Sequence, residues 1–319
     1  MFLSGFKKIY FITFILIIVS LFLLEFLLRI YGLGDPIIYS TNLSYRYFPS
    51  PNQSVNRLRG SNIKINDKGL RATLEWDNNN ENKILFFGDS VTYGGSYIDN
   101  EEIFSELVCY NLNKKNKKKY LCGNAGVNAY GIDNIKNRIL YGEVQDQEWI
   151  VVTLFSEDGY RSLQNISAIP AFLSKPKLFP AIQECFLHII WRADILLRNN
   201  YFFNASDIQK RENFFFHYEE SFKNLNEVLI VNSEKGKKIL VVFHPSKQEI
   251  LSGKQSEEYL LMKNVFQRTK STKLLFLDMF PIIKTSYSSD LYYDDVHLDR
   301  KGHLIFAEKI SMIISKYDK

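Results

Sequence analysis

The sequence predicts an α/β protein: a doubly wound, mostly parallel sheet of five strands, preceded by one transmembrane helix. Three observations carry this. Short apolar runs ended by glycine or polar residues alternate with amphipathic stretches beyond Lys83. The third run, Trp149–Phe155 (WIVVTLF), is apolar enough to be buried on both faces of a sheet. At the N-terminus, Ile9 to Leu24 is free of charge.

The N-terminal run follows Lys7 and Lys8 and, counted to Leu28, has about 20 residues, or about 30 Å as a helix, which matches a hydrocarbon core. It exceeds the usual h-region of a cleaved signal peptide, and no small-x-small site follows it. Residues 1–30 therefore read as an uncleaved signal anchor. The lysine pair favours N-in, C-out, diluted by Arg29, so the rest of the chain is expected outside the cytoplasm on a single-pass inner or plasma membrane. Residues 31–82 are polar, with Pro49 and Pro51, and read as a membrane-proximal linker or cap. Within them, Ser61 to Arg71 reads as a small hairpin turning at Asn66-Asp67-Lys68-Gly69.

Residues 83–319 form the main domain. Strands are expected at Ile84–Phe87, Tyr120–Cys122, Trp149–Phe155, Ile239–Phe243 and Leu274–Leu277. Helices are expected at Glu101–Leu112, Ile132–Tyr141, around Tyr218–Leu229 with Gly236 as cap, at Glu257–Arg268 and at Lys301–Ile314. Residues 160–215, with Pro170, Pro176 and Pro180 before an apolar helix at Ala181–Leu197, interrupt the alternation. They read either as a lid beside the active face or as a packing insertion.

Composition excludes several classes. The chain has 319 residues, 46% of them hydrophobic, and a net charge of +5, so it is neither a disordered polar chain nor a disulfide-stapled miniprotein. The dense basic run, Lys114, Lys115, Lys117, Lys118 and Lys119, reads as a solvated loop, and nothing indicates nucleic-acid binding. No nucleotide fingerprint follows any strand, and no ligand cluster indicates a metal or other cofactor. Cys109, Cys122 and Cys185 leave two readings open: a Cys109–Cys122 bridge in an exported domain, or buried thiols.

Chemistry concentrates at the carboxyl ends of the expected strands. Gly88-Asp89-Ser90 follows the first strand, so Ser90 begins a helix whose free N–H groups suit a developing oxyanion. Tyr293-Asp294-Asp295-Val296-His297 follows the fifth strand, with Asp294 spaced to orient the His297 ring. His244, after the fourth strand, is a further candidate on the same face. Singly, a helix cap and a surface acid–histidine pair are the commoner explanations.

Together these motifs resemble the SGNH/GDSL hydrolases. The first block of that family stands here as Phe87-Gly88-Asp89-Ser90. The last stands as Asp294 to His297, followed by Gly302-His303. The N-terminal anchor and the stretch from Pro51-Asn52-Gln53 through Asn66 to Arg71 further resemble membrane-anchored members associated with bacterial cell-surface polysaccharides. The resemblance implies a three-layer sandwich and a serine esterase acting on acyl esters of glycans, with O-acyl transfer as the alternative chemistry. Ser90 is then the nucleophile, His297 the base and Asp294 its partner. The middle blocks depart from the family. In Asn124-Ala125-Gly126-Val127-Asn128-Ala129, the oxyanion glycine falls on Ala129, which keeps its N–H donor if its backbone angles are ordinary. The Asn-Asp of the third block is Glu157-Asp158, and an ionised glutamate accepts but does not donate. This departure also admits a non-catalytic glycan-binding or assembly protein that retains the fold.

Overall fold

A computed structural model describes residues 2–77, 82–115, 118–161, 163–166, 180–202, 208–268, 274–286 and 289–318. Lys117, Pro170 and Pro176 lie outside the described residues. Helix α1 (Phe2–Ile30) contains a stretch, Lys8–Ile30, long and apolar enough to cross a membrane by length and composition, and none of it is buried in the protein. Four short strands follow, β1 (Tyr39–Asn42), β2 (Arg46–Pro49), β3 (Gln53–Asn56) and β4 (Asn62–Ile65), paired β1–β2 and β3–β4 as antiparallel hairpins. The expected turn at Asn66–Gly69 exists, but β4 takes β3 as its partner, and beyond the turn Ile65 and Arg71 share only one bridge. These residues are packed rather than free. Ile37, Tyr39, Tyr45, Tyr47, Ile63 and Trp76 are buried in the same core as the main sheet.

That sheet comprises β5 (Asn82–Phe87), β6 (Tyr120–Asn124), β7 (Trp149–Phe155), β8 (Lys238–His244) and β9 (Leu274–Asp278). Its order is β6-β5-β7-β8-β9 and all pairings are parallel. Each strand lies within a residue or two of its expected place, because strands covered on both faces must be apolar along their whole length. All seven residues of β7 are buried.

The helices are α2 (Ser90–Tyr93), α3 (Phe104–Lys115), α4 (Ile132–Tyr141), α5 (Ala181–Phe202), α6 (Ile208–Glu234), α7 (Lys247–Ser252), α8 (Glu257–Gln267), α9 (Met279–Ser286) and α10 (Arg300–Tyr317). On one side of the sheet α3 packs on α10, and on the other α6 packs on α4 and α8, giving three layers. A disulfide links Cys109 of α3 to Cys122 of β6, with Cα atoms 5.8 Å apart, which decides between the two readings of these cysteines. Lys114 and Lys115 form the exposed last turn of α3, where cations favour the helix dipole. The described part of the insertion is two helices. Of these, α5 packs against α1.

Candidate active site

In this strand order the sheet reverses its winding between β5 and β7, so the loops after those two strands diverge and leave a crevice at their carboxyl ends. Ser90 leaves β5 into that crevice. Only glycine fits at 88, because a Cβ there would sit 2.0 Å from Thr92 Oγ1 and 2.8 Å from the Thr153 carbonyl oxygen. Asp89 then caps α2, its side chain accepting from the Val91 N–H at 2.9 Å. Asn124, at the end of β6, donates to the Thr92 carbonyl at 2.6 Å and to Ser105 Oγ at 3.0 Å. Gly126 approaches so closely that a Cβ would lie 2.4 Å from the Tyr93 nitrogen. The turn bearing Ser90 is thus gripped from both neighbouring segments.

The segment after α9 brings the second set of groups. His297 Nε2 lies 2.8 Å from Ser90 Oγ, and His297 Nδ1 lies 2.7 Å from Asp294 Oδ2. A carboxylate only accepts, so Nδ1 carries the proton and Nε2 is left to accept from the serine hydroxyl. Asp294 Oδ1 accepts from the N–H groups of Val296 at 3.0 Å and His297 at 2.8 Å. Partial burial opposes ionisation of Asp294, but the His297 ring and these two amides outweigh it and hold the carboxyl at about 2.

The sequence offers His244 as a possible substrate contact, with a structural turn as the favoured reading. It is fully buried, with Nε2 2.7 Å from the Val296 carbonyl oxygen, and burial pushes it down to about 4. A neutral imidazole donating there steadies the loop between Asp294 and His297 from below. Tyr97 and Tyr292 brace neighbouring backbone, donating to the carbonyls of Leu298 and Pro245, each at 2.7 Å. His303, buried in α10, accepts from the Phe104 N–H at 3.1 Å and takes a packing role.

The two residues after β7 separate. Asp158 is fully buried and accepts from the Phe155 N–H at 3.2 Å. Burial and the neighbouring Asp89 push its carboxyl well up. Arg161, a residue the sequence did not mark out, joins these acids. Its Nη1 lies 3.3 Å from Asp89 Oδ2 and 3.0 Å from Asp158 Oδ1, and it also donates to the Tyr130 carbonyl at 3.3 Å. Arg161 therefore ties the loop after β7 to the loop bearing Ser90. Arg71 does the same for the chain after α2, donating to the carbonyls of Tyr93, Gly95 and Ile98 at 2.5–2.9 Å. Buried arginines on backbone carbonyls announce themselves only through folding, since their partners are distant in sequence.

Glu157 is exposed and lines a cavity of about 460 Å³ together with Tyr160, Ser246, Gln248, Lys254 and Gln255. Desolvation at the cavity wall raises its carboxyl; Arg161 opposes this and Asp89, Asp295 and Glu249 add to it. Ala129 departs from expectation: its φ is +62°, in the left-handed region that costs an L-residue about 1–2 kcal/mol. The ordinary backbone angles expected at Ala129 are therefore not found. The N–H groups of Ser90 and Ala129 have no hydrogen-bond partner among the described residues. Nor do the described residues hold a group of three or more His, Cys, Asp or Glu placed for a metal ion.

No family model and no curated protein matches the chain. Solved structures do. A lipase/acylhydrolase from Enterococcus faecalis is 14% identical, covering 74% of this chain and 96% of its own, with a TM-score of 0.47. An acetylxylan esterase from Geobacillus stearothermophilus is 16% identical, covering 74% and 94%, with a TM-score of 0.45. A member of the lipolytic protein G-D-S-L family from Veillonella parvula is 10% identical, covering 73% and 98%, with a TM-score of 0.41. In its fold and in the order of its motifs, the chain resembles the SGNH/GDSL hydrolases.

Proposed function

We propose that this chain is a membrane-anchored serine esterase of SGNH/GDSL type, with Ser90, His297 and Asp294 as its catalytic groups. The observation that carries the reading is the unbroken line Ser90 Oγ, His297, Asp294, at 2.8 and 2.7 Å. Ser90 Oγ attacks the ester carbonyl as its proton passes to His297 Nε2. The Asp294 carboxylate, ionised at neutral pH, stabilises the imidazolium. The N–H groups of Ser90 and Ala129 are the donors for the oxyanion. Collapse of the tetrahedral adduct expels the alcohol, which takes the proton from His297 and leaves an acyl-serine. Water, activated by the same histidine, then releases the acid.

The cavity at Glu157 is lined by hydroxyl, amide and charged groups together with Phe155 and Tyr160, and by none of Ser90, His297 and Asp294; it would take a polyhydroxylated alcohol portion extending away from Ser90. It supports acylated sugars such as O-acetyl glycans as the substrate class. A sugar hydroxyl in place of water would make the reaction an acyl transfer. Labelling of the full chain by a fluorophosphonate, lost in Ser90→Ala, tests the nucleophile. Turnover of a chromogenic acetyl ester tests the reaction. Ser90→Ala, His297→Ala and the double variant should each lose roughly 10⁴–10⁶ of turnover, without additivity. More than a few per cent residual activity in Ser90→Ala would sink the assignment. An unlabelled but folded wild-type chain would favour a binding protein that retains the fold, the reading that Glu157 in place of an amide donor supports.

A further inference from the structure

The outer end of α1 and the first turn of α5 are joined through polar groups. Glu25 accepts from the Ala181 and Ile182 N–H groups, each at 3.0 Å, so a carboxylate on one helix satisfies two of the orphan donors of another. Arg29 Nε holds Glu25 at 2.8 Å. In the same turn Glu184, fully buried, accepts from the Gly34 N–H and from Arg57, each at 2.5 Å. The height of α5 is therefore set against α1. Glu25 stands 17 residues after Lys8, about 26 Å along the helix, near the outer boundary of a hydrocarbon core about 30 Å thick.

From that point α5 exposes an apolar stripe. Phe186, Ile189 and Ile190 are 61%, 59% and 48% exposed, and with Ile182 they follow the i, i+4, i+7, i+8 spacing of one helix face. Glu184 and His188 lie on the other side. The stripe is continuous with the surface of α1. Ile18, Leu21 and Phe22 join Pro180 and Ile182 around an open apolar groove of about 540 Å³, which Glu25 and Arg29 also line. Exposed Arg192 flanks the stripe, where a long cationic side chain can reach lipid phosphates. The capping by Glu25 is what a helix start needs where water cannot replace the missing partners.

We propose that α5 is a second membrane-contacting element, lying in the leaflet next to the domain with Phe186, Ile189 and Ile190 inserted and a phospholipid acyl chain in the groove against α1. This rests on reading α1 as membrane-spanning, not on the esterase. A helix with one apolar face, pinned at interfacial height, binds a bilayer in proportion to the apolar area it buries. The domain then stands on the membrane at two elements instead of swinging on one.

Position-resolved quenching tests this in the full chain. In a Cys185→Ser background, Leu16→Cys, Ile189→Cys and Met312→Cys are each labelled with an environment-sensitive fluorophore. The chains are then reconstituted into phosphatidylcholine vesicles containing acyl-spin-labelled lipid. Met312, 54% exposed on α10, serves as the aqueous control. The labels at 16 and 189 should be blue-shifted and quenched at least twofold, and that at 312 unaffected; Phe186→Cys should repeat the result one turn earlier. Quenching at 16 but not at 189 or 186 overturns the inference and leaves α1 as a spanning helix. A blue shift at 189 without quenching also overturns it, because protein, such as a second copy, then covers the stripe. No quenching at 16 removes both.

Discussion

At the residue scale, the two departures from the family pattern have different consequences. Ala129 has an N–H without a partner among the described residues but holds a left-handed backbone, φ +62°, that glycine adopts without a steric cost. Ala129→Gly should therefore stabilise the fold by up to about 1 kcal/mol, the steric relief exceeding the entropy glycine brings to the unfolded chain. Urea unfolding measures this, and a loss of stability would show the angle to be unstrained. Glu157 is a chemical departure. It stands at the cavity wall with a raised carboxyl, close enough to Asp89 and Asp295 to feel their charge. An amide there could donate to the oxyanion, and one such donor is worth roughly 2.7–4 kcal/mol when its geometry is right. Glu157→Asn should raise kcat on a small acetyl ester about tenfold, or about 1.4 kcal/mol, with KM little changed. A flat or lower kcat in a folded variant would assign Glu157 to substrate binding.

At the scale of elements, legibility followed burial. Strands β5, β7 and β8 were readable because a parallel strand covered on both faces is an apolar run with abrupt ends. Ser90 and the Asp294–His297 pair stood out in the sequence only together, through the resemblance of their two blocks to the SGNH/GDSL motifs, since singly each reads more commonly as a cap or a surface pair. The short helices α7 and α9 were not, since they are one or two turns held by caps such as Ser246 and by packing. Arg71, Arg161 and the role of Asn124 were invisible for a related reason: each acts on backbone or acids brought close only by the fold. The pairing of β4 with β3 was not legible because the turn at Asn66–Gly69, which is present with its Ile65–Arg71 bridge, is a local signal, whereas pairing with β3 is decided by which strand covers the core. The Cys109–Cys122 bridge joins α3 to β6 across 13 residues, a loop whose closure in the unfolded chain is worth about 3 kcal/mol. Replacing both cysteines with alanine should cost that order of stability in denaturant unfolding, with activity retained once folded; unchanged stability would mean that the bridge contributes nothing.

At the scale of the whole molecule, the proposed sidedness draws support from two features that arise independently. The pair Lys7 and Lys8 favours retention of the short N-terminal end in the cytoplasm. The disulfide fits an oxidising compartment, since cytosolic thiol systems usually keep such pairs reduced. Both favour the proposed topology, with the main domain outside the cytoplasm. The one contrary feature, Arg29 on the far side of the span, is engaged by Glu25, so its charge is locally balanced. Alkaline phosphatase matures only where its own disulfides form. Fused after Asp35, it should be active, while a cytoplasmic reporter at the same junction should be silent. Thiol tagging of the intact chain adds a second reading: Cys109 and Cys122 should resist alkylation until reductant is added. An inactive phosphatase fusion with an active cytoplasmic reporter would reverse the topology. Extracellular glycans would then no longer be accessible, and a cytoplasmic acyl ester would have to be sought for the same Ser90.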